Sequence, residues 1–420
     1  MSSPATSEQN RKQTVFLVAI VSGMVLGALW GGFHPKHGFW GDSLHKFVIL
    51  LGDLFLSALR MMIVPLIVSS IINGVTSLGD IRKLGRMGAI TAGFYLTTTV
   101  IAVVIGIVMV NVIAPGTGVA TAAAGAPEAV NEYSFLDVLR AMIPSNVFGA
   151  MAKGQILPLI FFSLFFGIVM STLGDKVKAL KDAVDGLFAV SMKMVRLIVL
   201  AAPVGVFALV ATRIDASGGF GAFGTELVAI GSYVLTVIAG LGIHAVLVLG
   251  FLAWFGSGRN PAAVMRRLAE PLLLAFSTAS SSATLPVTMN AVQENLNVDK
   301  RVSSFVLPLG ATVNMDGTAL YEAVAAVFVA QCYGIDLSFS TQLLIVLTAT
   351  LAAIGAAGIP QAGLVTMVMV LHTAGLPTEG IGMILAVDWF LDRCRTTVNV
   401  FGDSVGTLVI QRLLSRQLKE

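Results

Sequence analysis

From Thr14 to Phe33 the chain runs without a single charged side chain. That is about the 20 residues an α-helix needs to cross a bilayer, and longer than the apolar core of a cleavable signal. No small-residue cleavage site follows it. Further apolar stretches occupy about 46–77, 87–114, 135–174, 183–212, 223–255, 302–333 and 377–411. Water cannot solvate so many of these. Apolar residues make up 56% of the 420-residue chain and charged residues 12%, against about 25% charged in a soluble domain. These proportions exclude a soluble nucleic-acid-binding, disordered or secreted protein, and they make the bilayer the solvent. A net charge of +3 implies no acidic partner. Cys332 and Cys394 lie in apolar runs and fit neither a disulfide framework nor a metal spacing.

Two more apolar stretches, near 269–295 and 340–373, are broken by small residues and proline: Ser280-Ser281-Ser282-Ala283-Thr284-Leu285-Pro286 in the first, Gly355-Ala356-Ala357-Gly358-Ile359-Pro360-Gln361-Ala362-Gly363 in the second. Basic residues decide the threading. Arg11/Lys12, Arg82/Lys83/Arg86, Lys176/Lys178/Lys181 and Arg259/Arg266/Arg267 mark alternate loops, whereas 115–134 carries no Lys or Arg. The positive-inside rule then puts the N-terminus in the cytoplasm. Lys300 and Arg301 would be outside if 269–295 crossed, so that stretch is read as a hairpin dipping in from the cytoplasm. No Lys or Arg occurs between Arg301 and Arg393, so 340–373 reads as the mirror hairpin from outside. Arg412, Arg416 and Lys419 return the C-terminus to the cytoplasm. Non-helical backbone at membrane depth must be buried in protein or line a cavity, and paired interrupted segments point to a transporter's binding site.

The expected fold is an all-α integral membrane protein of eight transmembrane helices plus two re-entrant helical hairpins of opposite orientation. Its expected divisions are a cytoplasmic tail (1–13), spans 1–2 (14–86), span 3 (87–114), spans 4–5 (115–212), span 6 (213–260), hairpin 1 (261–299), span 7 (300–335), hairpin 2 (336–375) and span 8 with the C-terminus (376–420).

Span 8 carries Asp388, Asp392, Arg393, Arg395, Thr396, Asn399 and Asp403 in one apolar helix. Asp392, Thr396, Asn399 and Asp403 recur at i, i+4, i+7 and i+11 and share a face. Five ionisable groups at a few kcal/mol each mark a functional stripe rather than one structural ion pair. In span 7, glycine and β-branched residues around Asn314 weaken the helix in Gly310-Ala311-Thr312-Val313-Asn314-Met315-Asp316-Gly317-Thr318. Freed carbonyls with Asn314 and Asp316 make an all-oxygen environment suited to a hard cation. His244 reads as hydrogen-bonded packing in an apolar span, Arg60 as snorkelling or paired within the bundle, and Lys193 and Arg196 as near a helix end. No catalytic constellation is present, and Ser281 has no base. An enzyme is not expected.

The segments ASSSATLPVT, PLGATVNMDGTALYEA, AAIGAAGIPQAG and DWFLDRCRTTVNVFGD closely resemble the dicarboxylate/amino-acid:cation symporter family, which includes the excitatory amino-acid transporters and archaeal aspartate transporters. The resemblance implies a homotrimer in which spans 1, 2, 4 and 5 form a scaffold. Spans 3, 6, 7, 8 and both hairpins would form a transport domain that moves as an elevator. It implies substrate contacts from Ser281, Thr318, Ile359 and Gly363, with Asp392 on the substrate's amino group, Arg395 on its side-chain carboxylate, and Thr396 and Asn399 alongside. The chemistry agrees, because a guanidinium fork matches a carboxylate. Sodium sites would fall on Gly310, Asn314, Asn399 and Asp403; on Thr312 with Ala353, Ile354 and Ala356; and on Tyr95, Thr98 and Thr99 with Asn314 and Asp316. Glu322 and Arg393 resemble the branch that couples protons and potassium. No long extracellular insertion and no Asn-x-Ser/Thr sequon are present, which favours a bacterial inner membrane.

The expected function is sodium-coupled uptake of glutamate or aspartate, with sodium as coupling ion, potassium and protons as further ions, and no cofactor. The partners would be the acidic amino acid, membrane lipid and two further copies of the chain, with no nucleic acid. The alternative is a proton-coupled C4-dicarboxylate symporter, which Asp392 disfavours because succinate has no ammonium. From another class, a channel or membrane receptor would lack saturable concentrative uptake.

Overall fold

The computed structural model describes residues 4–33, 39–77, 81–119, 140, 142–216, 220–355 and 362–414, and among them there is no strand. Helices run in chain order as α1 (Pro4–Phe33), α2 (Phe39–Met61), α3 (Ile63–Ser77), α4 (Ile81–Ile113), α5 (Val147–Ala152), α6 (Ile156–Leu173), α7 (Lys178–Leu200), α8 (Ala202–Ala216) and α9 (Phe220–Ile243). After α9 the helix widens into two π segments, His244–Leu249 and Leu252–Gly256. Then come α10 (Pro261–Arg267), α11 (Ala269–Thr278), α12 (Ser281–Asn290), α13 (Lys300–Val313), α14 (Asp316–Cys332), α15 (Phe339–Gly355), α16 (Ala362–Thr373) and α17 (Ile381–Leu414).

The exterior is apolar. On α4, Leu96, Val100, Val104, Val108 and Val112 face outward, while Tyr95, Thr98, Thr99, Ala102 and Val103 are buried. Amphipathicity is thus inverted, as expected of a helix whose solvent is lipid. Ser43–Thr76, Arg86–Ile113 and Gly224–Gly256 are each long and apolar enough to cross a membrane, with mean hydropathies of 2.1, 2.5 and 2.3, and a helix pair bent by 55° after Leu200 makes a fourth. The remaining apolar regions are interrupted by charge, as in α17, or by a break, as between α13 and α14.

Two sets of helices pack more within themselves than with each other. In one, α1 and α2 lie on α8, and α3 lies on α6 and α7. A ridge of glycines makes the first contact close: a Cβ on Gly23, Gly27 or Gly31 would stand 2.4 Å from the carbonyl oxygen of Pro203, Phe207 or Ala211 respectively. Small residues four apart are how membrane helices bring their backbones together. In the other set α14 is the axis, packed by α4, α9, α15, α16 and α17. Every residue of α14 except Gln331 is buried. A helix buried all round can keep Asp316 and Glu322 only if neighbouring helices answer their polarity.

Each interrupted stretch forms a helix pair. α11 ends at Ala279, which holds the left-handed conformation (φ 51°) that closes the helix, and Ser280 Oγ accepts from Ala283 N at 3.1 Å to start α12. α15 and α16 pack on each other. Their connection lies outside the described residues, and with it Ala356 and Ile359. At the start of α13, Asp299 accepts from Arg301 N at 2.7 Å and from its guanidinium at 3.1 Å. These bonds hold the Asp299 carboxyl below its ordinary pKa. Lys193 and Arg196 stand exposed on α7, Arg196 near its C-terminal end as expected and Lys193 a turn further in, where its stem covers an outward face.

Candidate functional site

The break between α13 and α14 creates the site. Asn314 (φ −97°, ψ 83°) and Met315 (φ −115°, ψ 58°) leave helical geometry. Gly317 N, which in a continuous helix would bond the Val313 carbonyl, donates instead to Asn399 Oδ1 of α17 at 2.8 Å. Asn399 Nδ2 in turn donates to Thr318 Oγ1 at 3.3 Å. One asparagine therefore ties the restarted helix to the polar stripe.

That stripe lies inside the protein. Asp388, Asp392, Arg395, Thr396, Asn399 and Asp403 are all buried. The Arg395 guanidinium lies 3.8 Å from the centroid of the Tyr321 ring, a cation–π geometry. Its Nη2 reaches Asp392 Oδ1 at 2.8 Å and Asp388 Oδ1 at 3.0 Å. Tyr321 Oη donates to the same Asp388 oxygen at 2.7 Å. Two further donors of Arg395, Nε and Nη1, are buried with no hydrogen-bond partner among the described residues. Beside them passes α16: a Cβ on Gly363 would stand 3.0 Å from Nη1, so glycine there keeps the donors uncovered. A buried guanidinium held from one side by two carboxylates offers its other edge to a further carboxylate.

Oxygen atoms crowd the cytoplasmic side of this cluster in the expected threading. Asp316 Oδ1 accepts from Thr99 at 2.7 Å and Thr98 at 3.3 Å, and Thr98 also reaches Asn314 Oδ1 at 3.4 Å. Asn314 Nδ2 donates to Asp403 Oδ1 at 2.9 Å. A Cβ on Gly310 would stand 2.4 Å from Asp403 Oδ1 and 2.7 Å from the Tyr95 hydroxyl, which itself donates to Val306 O at 2.8 Å. Two of the expected cation sets, sharing Asn314, thus come together from α4, α13, α14 and α17. The set on Thr312 is met only in part. Thr312 donates to Leu309 O at 3.0 Å within its own helix, and α13 packs against α15, which carries Ala353 and Ile354.

Asp388 and Asp392 hold the Arg395 guanidinium, and Asp316, Glu322 and Asp403 are buried in the same helix set, so among the described residues carboxyl groups outnumber that guanidinium. The excess of carboxyl groups suits cations. Hydroxyl, amide and carboxylate oxygens with no sulfur suit a hard one.

His244 is the residue the sequence undersold. Fully buried at the start of the first π segment, its Nε2 lies 3.0 Å from Asp316 Oδ2, so it belongs to the cation cluster and is not packing alone. The i→i+5 widening that aims it there carries no residue signal. Glu322 Oε1 accepts a short bond from Thr366 of α16. Arg393 does not pair with it; its Nη1 donates to the carbonyls of Phe276 (2.9 Å) and Ser277 (2.6 Å) at the end of α11. Ser281, buried at the first turn of α12, lies on a helix that packs against α17.

Comparison with known proteins matches residues 16–413 to the sodium:dicarboxylate symporter family. Excitatory amino acid transporter 1 of Ambystoma tigrinum is 40% identical over 96% of this chain and 83% of its own length. The putative sodium-dependent excitatory amino acid transporter glt-4 of Caenorhabditis elegans is 40% identical over 97% of this chain and 91% of its own. Excitatory amino acid transporter 3 of Mus musculus is 38% identical over 96% and 86%.

Proposed function

The chain belongs to the sodium:dicarboxylate symporter family, whose members are transporters and not enzymes, and from that premise we propose that it is a secondary active transporter that couples inward sodium movement to uptake of acidic amino acids. The observation that carries this reading is Arg395: a buried guanidinium with two unpartnered donors, anchored by Asp392. The distal carboxylate of glutamate or aspartate takes those donors, and its ammonium takes Asp392. Ser281 and Gly363 of the two helix pairs close over it, with Thr318, Thr396 and Asn399 completing the contacts, and Ile359 is the further contact that the family resemblance implies.

Coupling follows from shared residues. Asn399 faces the substrate and also bonds Gly317 N beside the cation cluster, so an ion that draws on Asn399, Asn314 and Asp403 fixes the geometry the substrate meets. Linkage makes the effect reciprocal. The further cation sets are Tyr95, Thr98, Thr99 and Asp316, and Thr312 with Ala353, Ile354 and Ala356. Glu322, bonded to Thr366 of α16, carries a proton inward, and either potassium or Arg393, which here rests on the carbonyls of Phe276 and Ser277, balances its charge on the return.

In this reading α4, α9 and α11–α17 move as one body against a trimeric scaffold of the other spans in a bacterial inner membrane, with both termini cytoplasmic. The test is uptake of labelled aspartate by purified protein in liposomes, with sodium, proton and potassium gradients imposed one at a time. Inward sodium should drive accumulation, and internal potassium should accelerate it. Uptake indifferent to sodium, driven by a proton gradient and inhibited by succinate, would establish the C4-dicarboxylate reading instead.

A further inference from the structure

A groove of about 540 Å³ opens on the outer face of α10–α11, lined by Ala262, Met265, Arg266, Ala269, Leu272, Leu273 and Phe276 with Thr397 of α17 at its floor. Met265, Leu273 and Phe276 stay exposed on it, at 42%, 70% and 40%. Just before α10, Trp254 and Phe255 stack outward at 63% and 65% exposure, as aromatic residues do at a membrane–water boundary. Arg266 follows on the last turn of α10. Leu273 and Phe276 lie seven and ten residues further on, so about 10–15 Å deeper at 1.5 Å per residue. That is the depth of one leaflet of a ~30 Å hydrocarbon core.

The mouth of the groove is basic. No ion pair or hydrogen bond to Arg266 comes from the other described residues. Arg267 donates to Asn295 O at 2.9 Å without a carboxylate to neutralise it. Partial burial, with the charge of Arg267 added, holds Arg259 in the preceding loop below the ordinary arginine value. Glu270 is the nearby carboxylate in sequence, and it forms no ion pair with Arg266. Lys300 and Arg301 add charge at the neighbouring start of α13, and Asp299 offsets the latter.

We propose that this groove binds an anionic phospholipid of the cytoplasmic leaflet, its phosphate on Arg266 and one acyl chain along Leu272, Leu273 and Phe276. An arginine with no partner among the described residues, above an apolar channel of leaflet depth, is the pattern of a headgroup pocket between membrane helices. Arg393 ties the inner end of α11 to α17 through Phe276 and Ser277, so a lipid here seats on the helix pair that would cover the substrate.

The test is native mass spectrometry of delipidated protein titrated with phosphatidylglycerol or with phosphatidylcholine of the same chains. Wild type should retain phosphatidylglycerol at least fivefold better than phosphatidylcholine. Arg266→Gln should erase that preference, Arg266→Lys should keep part of it, and Leu273→Trp, which fills the channel, should lose both lipids. Lys178→Gln, elsewhere on the surface, should change nothing. Each variant is checked for a monodisperse elution profile. Equal phosphatidylglycerol retention by wild type, Arg266→Gln and Leu273→Trp would overturn the site. So would high-yield disulfide formation between Leu273→Cys and Leu54→Cys on α2, which would make the groove a helix–helix contact.

Discussion

At the scale of single residues, Arg395 and Asp316 organise separate halves of one buried cluster, and each can be tested alone. Arg395→Cys removes the charge that meets a distal carboxylate and leaves Asp388 and Asp392 without their cation. Breaking a buried charge pair costs on the order of 2–5 kcal/mol, so aspartate affinity measured by calorimetry should fall roughly 30-fold or more. Binding of a small neutral amino acid such as serine should survive, because it never used the guanidinium; unchanged aspartate affinity would remove Arg395 from the site. On the cation side, His244→Leu leaves Asp316 Oδ2 without its donor, a loss of about 1–3 kcal/mol. The sodium concentration that half-saturates substrate binding should rise several-fold, whereas His244→Gln, which can still donate, should stay near wild type. Identical sodium titrations for His244→Leu and wild type would return His244 to a packing role. Most of this cluster was legible in advance because membrane burial makes each polar side chain expensive, so Asp392, Asn399, Asp403 and Asn314 announced themselves. His244 did not, since a lone histidine in an apolar run has no partner visible in the sequence. Tyr321 escaped as part of the site for a related reason: its bond to Asp388 and its ring against Arg395 join two helices far apart in the chain, and Asp388, although legible in the stripe, did not announce that it holds Arg395.

At the scale of elements, the breaks that mattered were written in residue types that weaken helices. Ser280 to Pro286 and the glycine-rich run around Asn314 gave the α11–α12 and α13–α14 interruptions, because serine caps a helix start and glycine with β-branched neighbours lowers helix propensity. Pro286 and Pro308, by contrast, sit inside α12 and α13 without ending them. The π segments after α9 were illegible for the opposite reason, since an extra residue per turn is decided by what packs against the helix. The glycine ridge on α1 belongs to this scale as well. Gly27→Ala places a Cβ 2.4 Å from Phe207 O, and α1 must retreat from α8. Overpacking of this kind costs about 1–3 kcal/mol. The midpoint of thermal unfolding in detergent should therefore fall for Gly27→Ala. Gly93→Ala, where a Cβ meets nothing within 4 Å, should leave it unchanged or raise it, and equal midpoints would show that α1 and α8 are not held by their backbones.

At the scale of the whole molecule, the pairing of α1 with α8 and the gathering of α4, α9, α15, α16 and α17 around α14 could not be read from local pattern, because nothing in an apolar face names its partner. One contact between the two helix sets has a mechanical reading. Arg60 stands near the middle of the long apolar helix Ser43–Thr76, yet its guanidinium reaches Glu379 Oε1 at 2.7 Å and also bonds Thr378, just ahead of α17. In the proposed threading Thr378 and Glu379 belong to the outer side, and their contact with a residue midway along that apolar helix corresponds to an α17 set displaced toward the cytoplasm relative to α2. With side chains 41% and 55% exposed, the pair is not enclosed by protein, so it would bias rather than lock the two positions of the proposed moving body. Arg60→Gln and Glu379→Gln should each shift the population toward the outward position, and the reversed pair Arg60→Glu/Glu379→Arg should recover it. A covalent link is the stronger test. Joining Arg60→Cys and Glu379→Cys by a disulfide should arrest uptake in liposomes, and reducing agent should restore it. Wild-type uptake rates in the fully cross-linked protein would mean that α2 and α17 never part, and that substrate crosses without a moving body.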